Sequence, residues 1–274
     1  MNDKTQIVSI FPNLLGTYGD GGNVMALRHI AALHGIETTV TEVAPGESIP
    51  SDGDLYILGG GEDTAQVAAA QALREDGTLS AVAADGIAVL AICAGYQLLG
   101  HEFPDSDGKP APGVGILDVK TDRLPARAVG ELLVQPTAQI DGTPLLNEPL
   151  TGFENHAGAT HIGPGSQPLA HIVPADVKID FDPVLTLNWN ATLDGQAAVG
   201  IGNGDGTEGA TSNRTIGTYL HGPCLARNPE LAELLLGWAA DRKLEPIREP
   251  EVEELRKVRL TAAANYDKTT QTQR

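Results

Sequence analysis

Cys93 stands in the string AICAGYQLLG, after the apolar run Ile87–Ile92 and before residues with helical spacing. A sharp strand-to-helix turn lifts its middle side chain clear of the sheet and aims the following N–H groups at whatever binds there. Such a turn is crowded and demands small neighbours, which Ala91, Ala94 and Gly95 supply. The dipole of the helix behind it favours the thiolate, the attacking form of the side chain. The position suits a small core cysteine equally well, since free cysteine is among the most buried residue types.

A thiolate that attacks a carbonyl carbon needs a base and a receiver for oxyanion charge. Gly59–Gly61 close the strand Asp54–Leu58, the one before the cysteine strand. In an open α/β sheet both strand ends face one crevice, where the N–H groups of a glycine triplet could meet an oxyanion. A tight turn into the next helix would use glycines just as well. Of seven histidines, His221 in GTYLHGP follows the strand Ile216–Leu220 and has the strand-end placement of a base; His156 in GFENH is its rival. Unaided, the residues lead as far as a cysteine nucleophile in an α/β crevice.

The elements that must position these groups alternate along the N-terminal part of the chain. Strands are predicted at Gln6–Phe11, Glu37–Val43, Asp54–Leu58 and Ile87–Cys93, and helices at Val24–His34 and Thr64–Glu75, with another beginning at Tyr96–Leu99. This alternation predicts an α/β fold, a mostly parallel sheet with helices on both faces. Further on, strands are expected at Val114–Leu117, Ala128–Gln135, Thr151–Glu154, Val184–Leu187, Ala197–Ile201 and Ile216–Leu220. Asn203–Asn213 reads as a flexible polar loop, and Pro229–Lys243 as a helix with proline in its first turn. One domain over 1–245 is expected, then a polar C-terminal tail over 246–274 with a solvated charged helix at Glu251–Ala264.

Composition narrows the classes. With 41% hydrophobic and 20% charged residues among 274, a sizeable core is feasible and a disordered chain is excluded. Lys and Arg total 18 against 36 Asp and Glu, a formal charge of −18 that repels nucleic-acid phosphates. No apolar run reaches the ~18 residues of a membrane span. MNDKTQIVSIF lacks the basic and apolar segments of a signal peptide, and two cysteines make no disulfide framework, so a reduced cytoplasmic protein is expected.

AICAGYQLLG, GFENH and GTYLHGP together resemble class I glutamine amidotransferase domains of the cobyric acid synthase type. Within that family the resemblance is nearest to GatD-type glutaminase subunits of lipid II isoglutaminyl synthases. It extends through NLLGTYGDGGN, GGGED, GVGILD and GFENHAGAT, six strings in the family's order from about residue 7 to 245. It implies hydrolysis of L-glutamine to glutamate and ammonia, with Cys93 as nucleophile and His221 as general base. It implies that Arg127 holds the glutamine, a role suited to a guanidinium gripping a carboxylate, and that N–H groups near Gly60 and Ala94 hold the oxyanion. Arg123 is close enough to be confused with Arg127.

The ammonia would pass to a Mur-ligase-like, MurT-type partner in a heterodimer that amidates the glutamate of a peptidoglycan precursor. No cofactor is expected in this chain; ATP and magnesium belong to the partner. An amidotransferase serving a corrinoid synthetase and a silent ligase-binding scaffold are the alternatives. Many family members carry a glutamate two residues after the histidine, where this chain has Pro223. Asp20 or Glu154 could replace it, but the expectation is an acid from the partner and a poor glutaminase in isolation.

Other patterns carry less. Tyr18–Asn23 follows a strand and opens a helix, but it lacks the Lys-Ser/Thr of a phosphate loop, and Asp20 would repel phosphate. No long helix follows Gly200, Gly202 and Gly204, as a dinucleotide site would need, and His156, His161 and His171 share no metal-ligand spacing. Cys224 reads as an incidental small residue.

Overall fold

The computed structural model describes residues 4–16, 19–173 and 201–264. Its N-terminal part follows the predicted alternation: β1 (Lys4–Ile10), α1 (Gly21–Leu33), β2 (Glu37–Val43), β3 (Leu55–Leu58), α2 (Asp63–Asp76), α3 (Thr78–Ala84), β4 (Ala88–Ile92) and α4 (Ala94–Leu99). Only α3 was not foreseen. Next come β5 (Glu102–Pro104), β6 (Pro110–Pro112), β7 (Val119–Pro136), β8 (Gln139–Ile140), β9 (Thr143–Pro144), β10 (Leu150–Ile162) and β11 (Ala170–Ile172). The chain closes with β12 (Thr207–Glu208), β13 (Ala210–Ser212), β14 (Thr215–Thr218), α5 (Cys224–Arg227), α6 (Pro229–Ala239) and α7 (Pro250–Ala264).

The main sheet has the order β13-β14-β4-β3-β1-β2, parallel except for the edge strand β13. Every residue of β3, β4 and β14 is buried, as strands covered on both faces require. The connection β1-α1-β2 runs one way along the sheet, while β3-α2-α3-β4 runs the other. Right-handed crossovers therefore place α1 on one face and α2 and α3 on the opposite one. The ends of β1, β3, β4 and β14 consequently open on one crevice, with the direction of winding reversing between β1 and β3.

A second sheet, in the order β12-β11-β7-β5-β6 with β10 also on β7, is largely antiparallel. The expected strands Ala128–Gln135 and Thr151–Glu154 are parts of its long β7–β10 hairpin. Three expectations are corrected. Val114–Leu117 is not a strand: Val114, Leu117 and Gly115 donate their N–H groups to Leu98, Leu99 and Gly100, satisfying carbonyls at the end of α4. Asn203–Asn213 is not a flexible loop. It contains β12 and β13 and buries Asn203, Glu208 and Thr211, because Asn203 bonds Tyr96, Thr207 and Gly209. The helix α7 is not solvated all round, since Arg256 and Leu260 are buried while Leu255 and Val258 face outward. The expected strands Val184–Leu187 and Ala197–Ile201, up to residue 200, and the start of the Tyr18 turn lie outside the described residues.

Candidate active site

Cys93 follows β4 with φ 52° and ψ −107°, a conformation that costs on the order of 1–3 kcal/mol and must be imposed by its surroundings. Both neighbouring strands impose it. The Cys93 N–H donates to Thr218 O (2.8 Å) beyond β4 on one side, and Gly95 N–H donates to Gly59 O (3.1 Å) on the other. Helix α4 starts at Ala94, whose N–H, in the first turn, has no intrahelical acceptor. The predicted elbow is therefore present, with Cys93 buried at its apex.

His221 arrives by the strand next to β4. Its backbone pairs with Phe153 of β10, donating N–H to Phe153 O (2.9 Å) and accepting Phe153 N–H (3.1 Å). Asp20, after β1, faces the His221 ring, with Oδ1 3.3 Å from Nδ1 and both side chains buried. Burial works against the imidazolium, but hydrogen bonds to Asp20 and Cys93, and the charges of both, raise its pKa from 6.5 to about 9. A carboxylate thus already stands at the histidine within this chain. Of the candidates left open for the third group, Asp20 is the one the fold brings to the His221 ring.

Gly60 lies between these groups. A Cβ there would come within 2.9 Å of His221 Cε1, 3.3 Å of Asp20 Oδ2 and 3.3 Å of Cys93 Cβ, so a side chain would wedge them apart. Its N–H donates to Asp20 Oδ2 at 2.7 Å. As an oxyanion donor Gly60 would have to share or exchange that acceptor, whereas the N–H of Ala94 needs no exchange.

A cleft opens over Cys93 and Ala94, with Gln97, Arg127, Asn155 and His156 on its walls; Arg123 lines it too, while Gly60 and His221 do not. Arg127 is exposed and donates from Nε to Asn155 Oδ1 (2.5 Å) and from Nη2 to Asn155 O (3.3 Å). Gln97 accepts at Oε1 from Gln66 Nε2 (2.7 Å) and donates from Nε2 to Tyr219 Oη (3.1 Å). The rival histidine, His156, is occupied elsewhere. Its Nε2 lies 3.2 Å from Glu154 Oε2, and its ring stacks on Tyr219 with centroids 3.7 Å apart. Glu154 also accepts Ile201 N–H (2.9 Å) and Gly202 N–H (3.0 Å).

Sequence reading missed Gln97 and Asn155 as cleft residues and gave Asp20 a weak case. Gln97 had a legible signal, one helical turn beyond Cys93 on the same face. Asn155 had none, because its place depends on the β7–β10 register. Cys224 is buried and its thiol is pushed up by that burial, which suits a packing role. Among the described residues no three His, Cys, Asp or Glu side chains are placed to hold a metal ion, and no helix is long and apolar enough to cross a membrane.

The profile of the CobB/CobQ-like glutamine amidotransferase domain matches residues 6–229. The chain is 34% identical over 243 residues to the lipid II isoglutaminyl synthase (glutamine-hydrolyzing) subunit GatD of Staphylococcus aureus (strain N315), covering 87% of this chain and 86% of that protein. It is 29% identical over 246 residues to the GatD subunit of Streptococcus pneumoniae (strain ATCC BAA-255 / R6), covering 88% and 82%. Cobyric acid synthase of Brucella anthropi is 34% identical over 194 residues, which make up 68% of this chain but 32% of that protein.

Proposed function

Since this chain belongs to the CobB/CobQ-like glutamine amidotransferase family and is a glutamine amidotransferase, we propose that it hydrolyses L-glutamine through Cys93 and feeds the ammonia to an ATP-dependent ligase. The observation that carries this reading is the convergence of Cys93, His221 and Asp20 around the bare backbone of Gly60. The Cys93 thiolate attacks the side-chain amide carbon, and the oxyanion is received by the Ala94 N–H together with Gly60. Collapse of the adduct breaks the C–N bond, and His221 gives its proton to the departing ammonia. His221 then takes a proton from water, which attacks the thioester and releases glutamate and the thiolate. Asp20 holds the ring in the orientation this needs, and Arg127 grips the substrate α-carboxylate.

The acceptor we propose is the glutamate of lipid II, amidated by a Mur-ligase-like, MurT-type partner in a cytoplasmic heterodimer. That partner would supply the ATP and magnesium. Alignment with the Staphylococcus aureus GatD subunit over 87% of this chain, against 68% for a cobyric acid synthase, supports this reading over a corrinoid one. A glutamine-mimicking electrophile tests the chemistry. Stoichiometric labelling of Cys93, slowed by glutamine, is expected; labelling spread over Cys93 and Cys224, or none, would favour a silent scaffold.

A further inference from the structure

We propose that Arg227 is a positioning residue, tying the turn that carries His221 to the strand that carries Arg127, with helix α7 as its buttress. This rests on the Cys93–His221 reading above. Arg227, in α5, is not among the residues lining the cleft, and its side chain is largely buried. Its guanidinium holds Glu131 of β7 with both ends, Nη1 to Oε2 at 2.6 Å and Nη2 to Oε1 at 3.2 Å. Its Nε–H donates to Gly222 O at 3.3 Å, the carbonyl just after His221.

These bonds complete a ring. His221 pairs with Phe153, Phe153 stands opposite Glu131 in the β7–β10 register, Glu131 binds Arg227, and Arg227 binds Gly222. Gly222 has φ 109°, and a Cβ there would come within 2.8 Å of Arg227 Nε, so the guanidinium lies against bare backbone. Arg127 is on the same strand as Glu131. Base turn and substrate strand, which belong to different sheets, are thereby joined through one side chain.

Helix α7 holds the ring from outside. Buried Arg256 donates to Arg227 O at 2.7 Å and, through Nη2, to Pro149 O at 2.6 Å, at the start of β10. Asn228 adds a clamp, exchanging bonds with the Thr151 N–H and O of β10, both at 2.9 Å. A two-ended guanidinium–carboxylate pair fixes orientation, whereas an ammonium makes a point contact. The stake is kinetic, because a misplacement of ~1 Å can cost up to ~100-fold in rate.

The test is steady-state ammonia release from L-glutamine by the purified chain, alone and with its ligase, comparing Arg227→Lys, Glu131→Gln and their combination. Each single change should lower kcat by ~10-fold or more with KM within ~3-fold, and the double variant should be no slower than the slower single. The alkaline limb of kcat should move to lower pH as His221 loses its alignment with Asp20, a shift that mere loss of stability would not produce. A kcat within ~2-fold of the parent in folded variants, a loss confined to KM, or multiplying losses would overturn the proposal. If Arg227→Lys does not fold, Glu131→Gln breaks the same pair from the strand side and decides the matter alone. Cys93→Ala is run beside them. Activity surviving there would refute the underlying reading, whereas activity lost there but intact in the other variants would refute only the role of Arg227.

Discussion

Cys93, Asp20, Gly60 and His221 follow the ends of buried parallel strands, whereas Arg127 and Asn155 sit on an antiparallel hairpin whose β7 strand is exposed along its middle. At the main-sheet strand ends Cys93 is fixed by backbone bonds from both neighbouring strands, down to its unfavourable φ, His221 by a backbone bridge to Phe153, and Asp20 by the Gly60 N–H. On the hairpin the candidate substrate grip is an exposed side chain that donates to Asn155 of the paired strand. The contrast separates two tasks: stabilising developing charge needs groups that do not reorganise, while capturing a small substrate tolerates some play. On this account the groups at the main-sheet strand ends govern kcat, and Arg127 on the hairpin governs KM.

The largest expected effect breaks the main-sheet side outright. Cys93→Ala should reduce glutamine hydrolysis by at least ~10⁴-fold, measured as ammonia release. Asp20→Asn keeps the size of the side chain but removes its charge, and should cost ~10²–10⁴-fold in kcat with little change in KM. A rise in KM instead would erase the proposed division. Arg127→Gln should do the reverse, raising KM ~10–100-fold with kcat within several-fold; an equal fall in kcat would mean the hairpin also serves the transition state.

The smallest effect sharpens the picture of what lies beneath the base strand. Glu208 is buried and accepts the Thr218 hydroxyl (2.8 Å) and the Tyr219 N–H (2.7 Å), while its Oε2 has no partner among the described residues. Burial raises its pKa from 4.5 to about 7. The unfolded chain therefore releases this proton more readily than the folded one, and the group costs stability increasingly as pH rises from 4.5 through about 7. Glu208→Gln should raise the melting temperature at pH 8 and leave it nearly unchanged at pH 4. His221 has the opposite linkage: its stabilising interactions are fully present below pH 6.5 and fade as pH rises through about 9. Unfolding of His221→Gln should accordingly lose the parent's decline over that alkaline window.

The same contrast explains what was legible in the sequence. Strands buried on both faces must be continuous apolar runs, and the elbow must have small neighbours, so β1, β3, β4 and Cys93 could be located from local pattern, and the edge strand β2 from its alternation. The hairpin has one exposed side, and its function depends on register across strands far apart in sequence, so Asn155 opposite Val129 had no local signature. Asp20 was underweighted because it lies 201 residues from His221, and only the sheet order brings them together. The segment around Asn203 misled because its glycines and polar residues resemble a solvated loop. In the fold those polar groups satisfy one another below the site.

One measurement bears most directly on the central claim: ammonia release from L-glutamine by the purified chain, alone and with a Mur-ligase-like partner, for the parent and Cys93→Ala. With cysteine, histidine and carboxylate all in one chain, the account predicts release by the isolated parent, sustained in the complex and abolished by the substitution. Release that survives Cys93→Ala, or silence of the parent both alone and in the complex, would contradict it.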